Sequence, residues 1–328
     1  MKIMQEPILV LAEHLKGNIA DITYEMLGAA RRLADELKAP LYSVVFGKDV
    51  APVASHLGIA DSVFVLDHPQ LDMPSPDVLA ALLKMLIEQK KVSLVLIGGT
   101  NVSTGIGPKL SFRLNLPFVN FCRNIRVENG SMILTSQLFG GKILSDVRLP
   151  ENRGVVSVYP GSFPADVARS DRKPSVEMVD LPVEETKVIF KRYIEPETGD
   201  IDITKQDILV SVGRGIATAD NVAMVEELAN VLGGAVCASR PVIDQGWLPL
   251  SRQVGKSGMT VKPKLYLSFG VSGAPEHVEG MKDSGLVISV NTDPNAPIFG
   301  VSHYGVCADL FDVLPALVEK IKTHKGKE

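Results

Sequence analysis

The stretch LYLSFGVSGAPEH (265–277) decides the fold of the C-terminal half of this chain. An apolar strand comes first, a glycine-rich turn follows, and Pro275 begins a helical segment. The stretch DILVSVGRG (207–215) repeats this order of strand and glycine turn. A helix over 219–232, a buried strand LVISVN (286–291) and a closing helix over 308–322 complete the pattern. Together they predict an α/β domain with a parallel sheet.

The N-terminal half alternates strands and helices in the same way. Four apolar segments predict strands: ILVLAEH (8–14), LYSVVFG (41–47), SVFVLDH (62–68) and VSLVLIGG (92–99). Helical spacing falls between them, at 21–37, 50–58 and 76–90. Shorter alternating segments with turn signals then predict antiparallel strands over 117–160.

A charged, proline-rich stretch over 162–204 separates the two halves. We place a linker near 185–205. The fold class is therefore α/β, with two parallel-sheet domains, an N-terminal one at 1–195 and a C-terminal one at 196–328.

The composition excludes several classes of protein. A net charge of −4 over 328 residues indicates neither a nucleic-acid partner nor a membrane surface. No apolar run has the length of a transmembrane segment, and the N-terminus lacks the features of a signal peptide. The three cysteines lie far apart with no CxxC pair, which favours a reducing, cytoplasmic setting. The chain is 45% hydrophobic yet only 5% aromatic, so it predicts aliphatic parallel-sheet cores, or a surface that meets a partner.

The N-terminal half carries little chemistry. The stretch GGTNVSTGIGPKLS (98–111) could hold an anion, but it lacks the lysine of a P-loop and has no GxGxxG, so we interpret it as a capping turn before a helix. His14 and His68, near strand ends, are interpreted as local hydrogen-bonding residues rather than ligands.

The C-terminal half is denser in candidate site residues, because several polar or glycine-rich turns each follow an apolar strand. Glycines let backbone N–H groups approach a phosphate, and Arg or Lys neutralises its charge. Each turn alone has a plainer interpretation; Arg240, for example, could simply pair with Asp244. Their convergence at one edge predicts a nucleotide or dinucleotide site, and the missing GxGxxG argues against an ordinary NAD site. The turns are those at 213–215, 239–240, 254–258 and 272–277, with Asn291.

A family resemblance rests on long motifs in this half. They are SRP (239–241) with Asp244, Gly246 and Trp247, then QVGKSG (253–258), TVKPKLY (260–266), GVSGAPEHVEGMKDS (270–284), NTDPNAPIF (291–299) and YGVCADLF (304–311). In this order they resemble the α subunit of electron transfer flavoproteins. The wording around Trp247 is similar to the branch that includes nitrogen-fixation-linked and flavin-bifurcating members.

The resemblance implies a Rossmann-like C-terminal domain that binds FAD and an N-terminal domain that contacts a smaller β subunit. It places Arg240 beside the isoalloxazine, the Ser257 hydroxyl at flavin N5, and the His277 imidazole near the C2 carbonyl. Only the backbone of Glu276 is expected to matter, because a carboxylate facing the flavin would oppose reduction. Asn291, Asp309 and Leu310 are assigned to the adenosine end, with an N-cap of the last helix as the alternative for Asp309. The full set is Arg214, Ser239, Arg240, Val254, Gly255, Lys256, Ser257, Ser272, Gly273, Ala274, Pro275, Glu276, His277, Asn291, Asp309 and Leu310.

The implied function is electron carriage from dehydrogenases to a membrane quinone oxidoreductase or another acceptor. One alternative is a subunit of a bifurcating complex that oxidises NADH and reduces ferredoxin together with a quinone or acyl-CoA acceptor. Others are a non-redox protein that binds an adenine nucleotide, and a stand-alone enzyme that uses one. The last would need a catalytic base and Mg²⁺-binding carboxylates near the glycine turns, and the sequence shows neither.

Overall fold

The chain divides into two compact units, Met1–Arg192 and Tyr193–Glu328, which we describe separately. The computed structural model describes residues 6–184, 188, 190–192 and 200–325. The predicted domain boundary between 195 and 196 lies outside the described residues and stays a prediction.

The N-terminal unit is built on a nine-stranded sheet in the order β11-β5-β4-β1-β6-β10-β7-β8-β9. The seven strands from β11 to β7 run parallel, and β8 and β9 extend them antiparallel. The short strands β2 and β3 form a separate pair. The strands are β1 (Ile8–Leu11), β2 (His14–Leu15), β3 (Asn18–Ile19), β4 (Leu41–Gly47), β5 (Ser62–Asp67), β6 (Leu94–Gly98), β7 (Phe118–Glu128), β8 (Ser131–Leu138), β9 (Ile143–Arg148), β10 (Gly154–Val158) and β11 (Ser175–Met178).

Three helices pack on this sheet: α1 (Asp21–Leu37), α2 (Pro76–Lys90) and α3 (Ile106–Leu114). Separate apolar cores lie on the two faces of the sheet, because its parallel strands are buried on both sides. The bounds of α1 and α2 are those predicted. The predicted helical piece at 50–58 is a 3₁₀ turn over Ala51–His56.

The prediction of antiparallel strands over 117–160 is wrong for part of that region. Strand β10 is fully buried and lies parallel between β6 and β7, so it belongs to the centre of the sheet. Two further expectations also change. The first strand, predicted over 8–14, ends at Leu11, and His14 belongs to the separate strand β2. The stretch 162–204, predicted as a connection, contains strand β11 at the edge of the sheet.

The C-terminal unit contains five strands: β12 (Ile208–Val212), β13 (Ala235–Ala238), β14 (Leu265–Phe269), β15 (Leu286–Asn291) and β16 (Tyr304–Cys307). They form a fully parallel sheet in the order β13-β12-β14-β15-β16. Its helices are α4 (Val222–Leu232), α5 (Arg240–Asp244), α6 (Pro275–Glu279) and α7 (Leu310–Lys325). The strand order reverses between β12 and β14, which is where open α/β sheets bind ligands. The predicted fold class of two parallel-sheet α/β units is confirmed.

One predicted strand of this unit is absent. The residues before Val254 form a 3₁₀ turn over Leu250–Arg252 instead. The segment after this turn lies beside the sheet, because the Val254 N–H donates to the Ala238 carbonyl at 2.9 Å. Within the described ranges, no helix is long and apolar enough to cross a membrane.

Candidate functional site

A cavity of ≈ 590 Å³ opens at the carboxyl edge of the five-stranded sheet. Its wall comes from the loops that follow β12, β13 and β14, from the segment around Val254, and from Asn291 at the end of β15. It therefore lies at the reversal of strand order between β12 and β14.

Most residues of the predicted set line this cavity. They are Arg214, Ser239, Arg240, Val254, Gly255, Lys256, Ser257, Ser272, Ala274, Glu276, His277 and Asn291. The cavity is also lined by residues outside the predicted set: Gly215, Pro241, Asp244, Gln253, Gly270 and Val271. Gly215 lies in the predicted turn at 213–215, and Gly270 lies in the stretch 265–277, just before the predicted turn at 272–277. Gln253 begins the QVGKSG motif but was not predicted as a site residue, because its contact with Ser257 is not specified by a local pattern.

Four predicted residues do not line the cavity: Gly273, Pro275, Asp309 and Leu310. The Asp309 carboxylate accepts a hydrogen bond from the Phe311 N–H at 2.9 Å, so it caps α7 as the alternative proposed. Leu310 is buried in the apolar core of this unit. The assignment of these two residues to the adenosine end stays a prediction.

Two loops form the floor of the cavity by direct backbone contact. The Gly213 N–H donates to the Phe269 carbonyl at 2.9 Å, and the Gly215 N–H to the Gly270 carbonyl at 3.2 Å. A side chain at Gly213 would collide with the Gly270 backbone. Glycine is therefore required here by close approach of the two loops.

The 253–259 loop is tied to the segment that begins α6. Gly255 has φ of 140°, a left-handed conformation that favours glycine, and it turns the chain so that the Lys256 N–H donates to the Glu276 carbonyl at 2.8 Å. The Gln253 side-chain amide donates to the Ser257 hydroxyl at 3.0 Å. The backbone of Glu276 is therefore part of the wall, while its side chain is exposed.

Three cationic side chains, Arg214, Arg240 and Lys256, line the cavity. Arg240 Nε lies 3.4 Å from an Asp244 carboxylate oxygen, so the expected pair does form. Both side chains are exposed, which makes this pair weak and leaves the guanidinium able to face a ligand. The cations supply the charge that a diphosphate needs.

His277 is the most buried titratable side chain of the cavity wall, only 5% exposed. Its Nε2 lies 3.0 Å from the Tyr266 hydroxyl. Burial lowers the pKa of His277 to about 4, and the backbone of Val254 offsets only part of that effect. The imidazole is therefore neutral near pH 7, and it can act on a ligand as a hydrogen-bonding group but not as a cation.

In the N-terminal unit, the buried side chain of Glu13 connects the segment after β1 to the turn before α3. The buried Glu13 carboxylate accepts hydrogen bonds from the Thr100 hydroxyl at 2.7 Å and from the Ser103 hydroxyl at 2.5 Å. Thr100 also caps the turn by accepting from the Ser103 N–H at 3.2 Å. The interpretation of 98–111 as a capping turn is wrong for the helix itself: the N-cap of α3 is Gly105, which makes no side-chain cap hydrogen bond, and the hydroxyls of the turn bind Glu13, a residue that the sequence pattern missed. His68 makes the expected local hydrogen bond, accepting from the Gln70 N–H at 3.2 Å, whereas His14 Nε2 lies 3.0 Å from the Phe46 carbonyl of a neighbouring strand.

These features fit FAD. The cavity combines cations for the diphosphate, loops that meet through glycine, and a neutral imidazole. They define an α/β protein that binds a nucleotide cofactor at a switch point.

Comparisons with known proteins identify that class more closely. Residues 202–282 match the Electron transfer flavoprotein FAD-binding domain, and residues 8–185 match the Electron transfer flavoprotein domain. The electron transfer flavoprotein subunit alpha of Thermoanaerobacterium thermosaccharolyticum is 34% identical, covering 97% of this chain and 98% of that protein. Protein FixB of Clostridium saccharobutylicum is also 34% identical, covering 96% of each. Subunit LctC of the lactate dehydrogenase (NAD(+),ferredoxin) of Acetobacterium woodii is 33% identical, covering 98% of this chain and 78% of that subunit.

The chain belongs to the electron transfer flavoprotein family. The relatives that it matches over nearly their full length include α subunits of that family. The cofactor of its C-terminal unit is FAD.

Proposed function

We propose that this chain is the FAD-carrying α subunit of a heterodimeric electron carrier. It takes electrons from dehydrogenases and delivers them to a membrane quinone oxidoreductase or another acceptor. The observation that carries this proposal is the cavity at the strand-order reversal, lined by residues of the matched FAD-binding domain. FAD supplies the redox chemistry when bound, and the protein supplies binding and electrostatic tuning.

The residues of the cavity have separate tasks. Arg214, Arg240 and Lys256 place positive charge at its wall, which binds an anionic cofactor and favours electron-rich flavin. Gln253 orients the Ser257 hydroxyl, which we assign to flavin N5. His277 offers a neutral hydrogen-bonding group. None of these tasks requires a nucleophile or a general base.

The β subunit is the partner that the proposal requires. The N-terminal unit has a hairpin of β8 and β9 at the end of its sheet, and apolar side chains are exposed on it. They are Leu138, Phe139, Ile143 and Leu144. We assign this hairpin to the contact with the β subunit, and we place the complex in the cytoplasm.

A bifurcating complex is the second candidate. The relative LctC is a subunit of a lactate dehydrogenase that is named for NAD(+) and ferredoxin. In that case the chain would keep the same FAD site, and the complex would oxidise NADH while it reduces ferredoxin and a second acceptor.

Co-purification with the product of the neighbouring gene tests the proposal. A yellow complex with flavin absorption bands is expected. A colourless complex that takes up no added FAD contradicts the proposal and favours a non-redox nucleotide site. Adding NADH and ferredoxin to the yellow complex, with and without a second acceptor, then separates the two candidates. Ferredoxin reduction that depends on the second acceptor indicates bifurcation.

A further inference from the structure

Arg252 does not line the cavity, but it directly precedes a segment that does. Its side chain is only 14% exposed, and each of its three guanidinium nitrogens has a partner. Nε donates to an Asp200 carboxylate oxygen at 2.6 Å, and one terminal nitrogen lies 2.5 Å from the same oxygen. The other terminal nitrogen donates to the Val236 carbonyl at 2.8 Å. The guanidinium group therefore joins the 3₁₀ turn to two separate parts of the C-terminal unit.

Asp200 fixes the orientation of that guanidinium group. Its side chain is 16% exposed, and its carboxylate also accepts a hydrogen bond from the hydroxyl of Ser251, the neighbour of Arg252. The hydrogen bond from Arg252 holds the pKa of Asp200 below its ordinary value, so this carboxylate is ionised near pH 7. The two charges neutralise each other, so the effect of Arg252 on the cavity is one of position rather than of charge.

The contact with Val236 sets the register of the segment on strand β13. This strand lies at the edge of the sheet, so the carbonyls on its outer side have no neighbouring strand. Two of them, two residues apart, bind the segment. Ala238 accepts from the Val254 N–H at 2.9 Å, and Val236 accepts from the Arg252 side chain at 2.8 Å. The guanidinium group thus supplies a donor that the backbone of a further strand would otherwise supply.

The register that Arg252 sets reaches Ser257 through Gln253. Gln253 follows Arg252 in the chain, is buried, and forms a bridge with Ala238 of β13. Its side-chain amide donates to the Ser257 hydroxyl at 3.0 Å, and the hydroxyl keeps its own proton for a ligand. A shift of the 252–254 segment along β13 would therefore move the Ser257 hydroxyl within the cavity wall.

We propose that Arg252, held by Asp200, is a positioning residue that fixes the 253–257 segment on the edge of β13, so that the Ser257 hydroxyl meets the flavin. This role rests on the proposed function, which assigns that hydroxyl to flavin N5. A hydroxyl donor at N5 stabilises electron-rich flavin, so its displacement lowers the midpoint potential. Arg252 has no contact of its own with the cofactor site.

Variants of the heterodimer test this role. Arg252→Lys keeps the charge but loses the planar fork, because one ammonium group cannot reproduce the contacts of three nitrogens. Asp200→Asn weakens the same ion pair from its other side. Arg252→Lys combined with Ser257→Ala shows whether Arg252 acts through that hydroxyl. Lys264→Met is the control, because it breaks an exposed ion pair with Asp207 at the opposite edge of the same sheet.

Two measurements are made on each variant. Redox titration of the FAD-loaded heterodimer gives the midpoint potential, and hydrogen exchange of the FAD-free full-length chain reports the protection of the Val254 N–H. Arg252→Lys should lower the midpoint potential and make the Val254 N–H exchange about tenfold faster, as the loss of a hydrogen bond to a charged group predicts. Added to Ser257→Ala, it should lower the midpoint potential no further. Lys264→Met should change neither quantity.

Three results would overturn the role of Arg252. The first is an unprotected Val254 N–H in the wild-type chain, a result that needs no variant. The second is an Arg252→Lys heterodimer that loses thermal stability but keeps its midpoint potential, because that marks a purely structural ion pair. If Arg252→Lys does not fold, an unchanged potential in Asp200→Asn has the same meaning. The third is an equal fall in potential with and without the Ser257 hydroxyl. A heterodimer that binds no FAD contradicts the proposed function instead, and hydrogen exchange of the FAD-free chain still tests the anchoring by Arg252.

Discussion

Arg240 places a positive charge at the cavity wall and also forms an exposed ion pair with Asp244. A fixed cation stabilises the electron-rich form of a flavin, so Arg240→Ala should lower the FAD midpoint potential by the equivalent of about 1 kcal/mol per electron, as expected for a solvent-exposed charge. Asp244→Asn removes the competing carboxylate and should raise the potential. Redox titration of both variants checks the prediction, and an identical midpoint for Arg240→Ala would exclude its guanidinium from the flavin environment.

His277 should make the stability of the C-terminal unit depend on pH. Its folded-state pKa of about 4 lies below the ordinary value, so the unfolded chain binds more protons between those two values. The stability that the neutral ring contributes is fully present above about pH 6.5. It is lost as pH falls toward 4, at up to roughly 1.4 kcal/mol per pH unit.

Denaturant unfolding of the FAD-free chain at pH 5 and pH 7 measures this effect. Trp247, the single tryptophan, lies in the C-terminal unit, so its fluorescence reports the unfolding of that unit. His277→Gln should unfold with a smaller difference between the two pH values than the wild type. An equal difference in both proteins would mean that His277 is not the group that titrates.

At the scale of elements, hydrogen bonds to Glu13 connect the segment that follows β1 to the turn before α3. Two hydroxyl donors, from Thr100 and Ser103, meet its buried carboxylate. Glu13→Ala leaves both without an acceptor and should destabilise the N-terminal unit by about 2–3 kcal/mol. Far-ultraviolet circular dichroism during urea unfolding is the measurement, with Glu88→Ala on the exposed face of α2 as the control expected to change little.

The pH dependence of this element has the opposite sign to that of His277. Burial raises the pKa of Glu13, so the folded unit favours the protonated acid. Its stability is therefore lost as pH rises from the ordinary value of 4.5 through the folded-state pKa. Glu13→Gln cannot ionise and should unfold with a flatter pH profile above 4.5. A profile as steep as that of the wild type would contradict the assignment.

Local patterns predict some elements of this chain and miss others for identifiable reasons. Helix α2 has a serine N-cap followed by Pro76, and both are local signals, so its bounds follow from sequence. Strands β11 and β16 are exposed along their whole length, so no apolar run marks them. Whether β10 pairs parallel or antiparallel depends on partners distant in the chain.

The candidate site divides in the same way. Glycine turns after β12 and β14 mark the cavity in the sequence, because parallel strands bring their carboxyl ends to one edge. The contacts of Tyr266 with His277 and of Gln253 with Ser257 join side chains across the folded wall. No spacing in the sequence specifies a hydrogen bond of that kind, so only the structure reveals it.

At the scale of the whole molecule, the abundant aliphatic residues lie in two kinds of environment. Most of them form cores on both faces of two sheets, one largely parallel and one fully parallel. Others remain exposed on the β8–β9 hairpin, where Phe139 is 74% and Leu144 is 61% exposed. Adjacent exposed apolar side chains at the end of a sheet are typical of a protein interface.

Introducing charged side chains on the β8–β9 hairpin tests its assignment to the contact with the β subunit. Phe139→Asp combined with Leu144→Asp should weaken the heterodimer, because an interface that buries two apolar side chains would have to bury two unpaired carboxylates instead. Loss of two such contacts costs at least about 2 kcal/mol, or roughly thirtyfold in the dissociation constant. Analytical ultracentrifugation with the separately purified β subunit measures it. Met178→Asp, on β11 at the opposite end of the same sheet, is the control and should bind like the wild type. Unchanged affinity in the double variant, or an equal loss in the control, would place the β-subunit contact elsewhere on this unit.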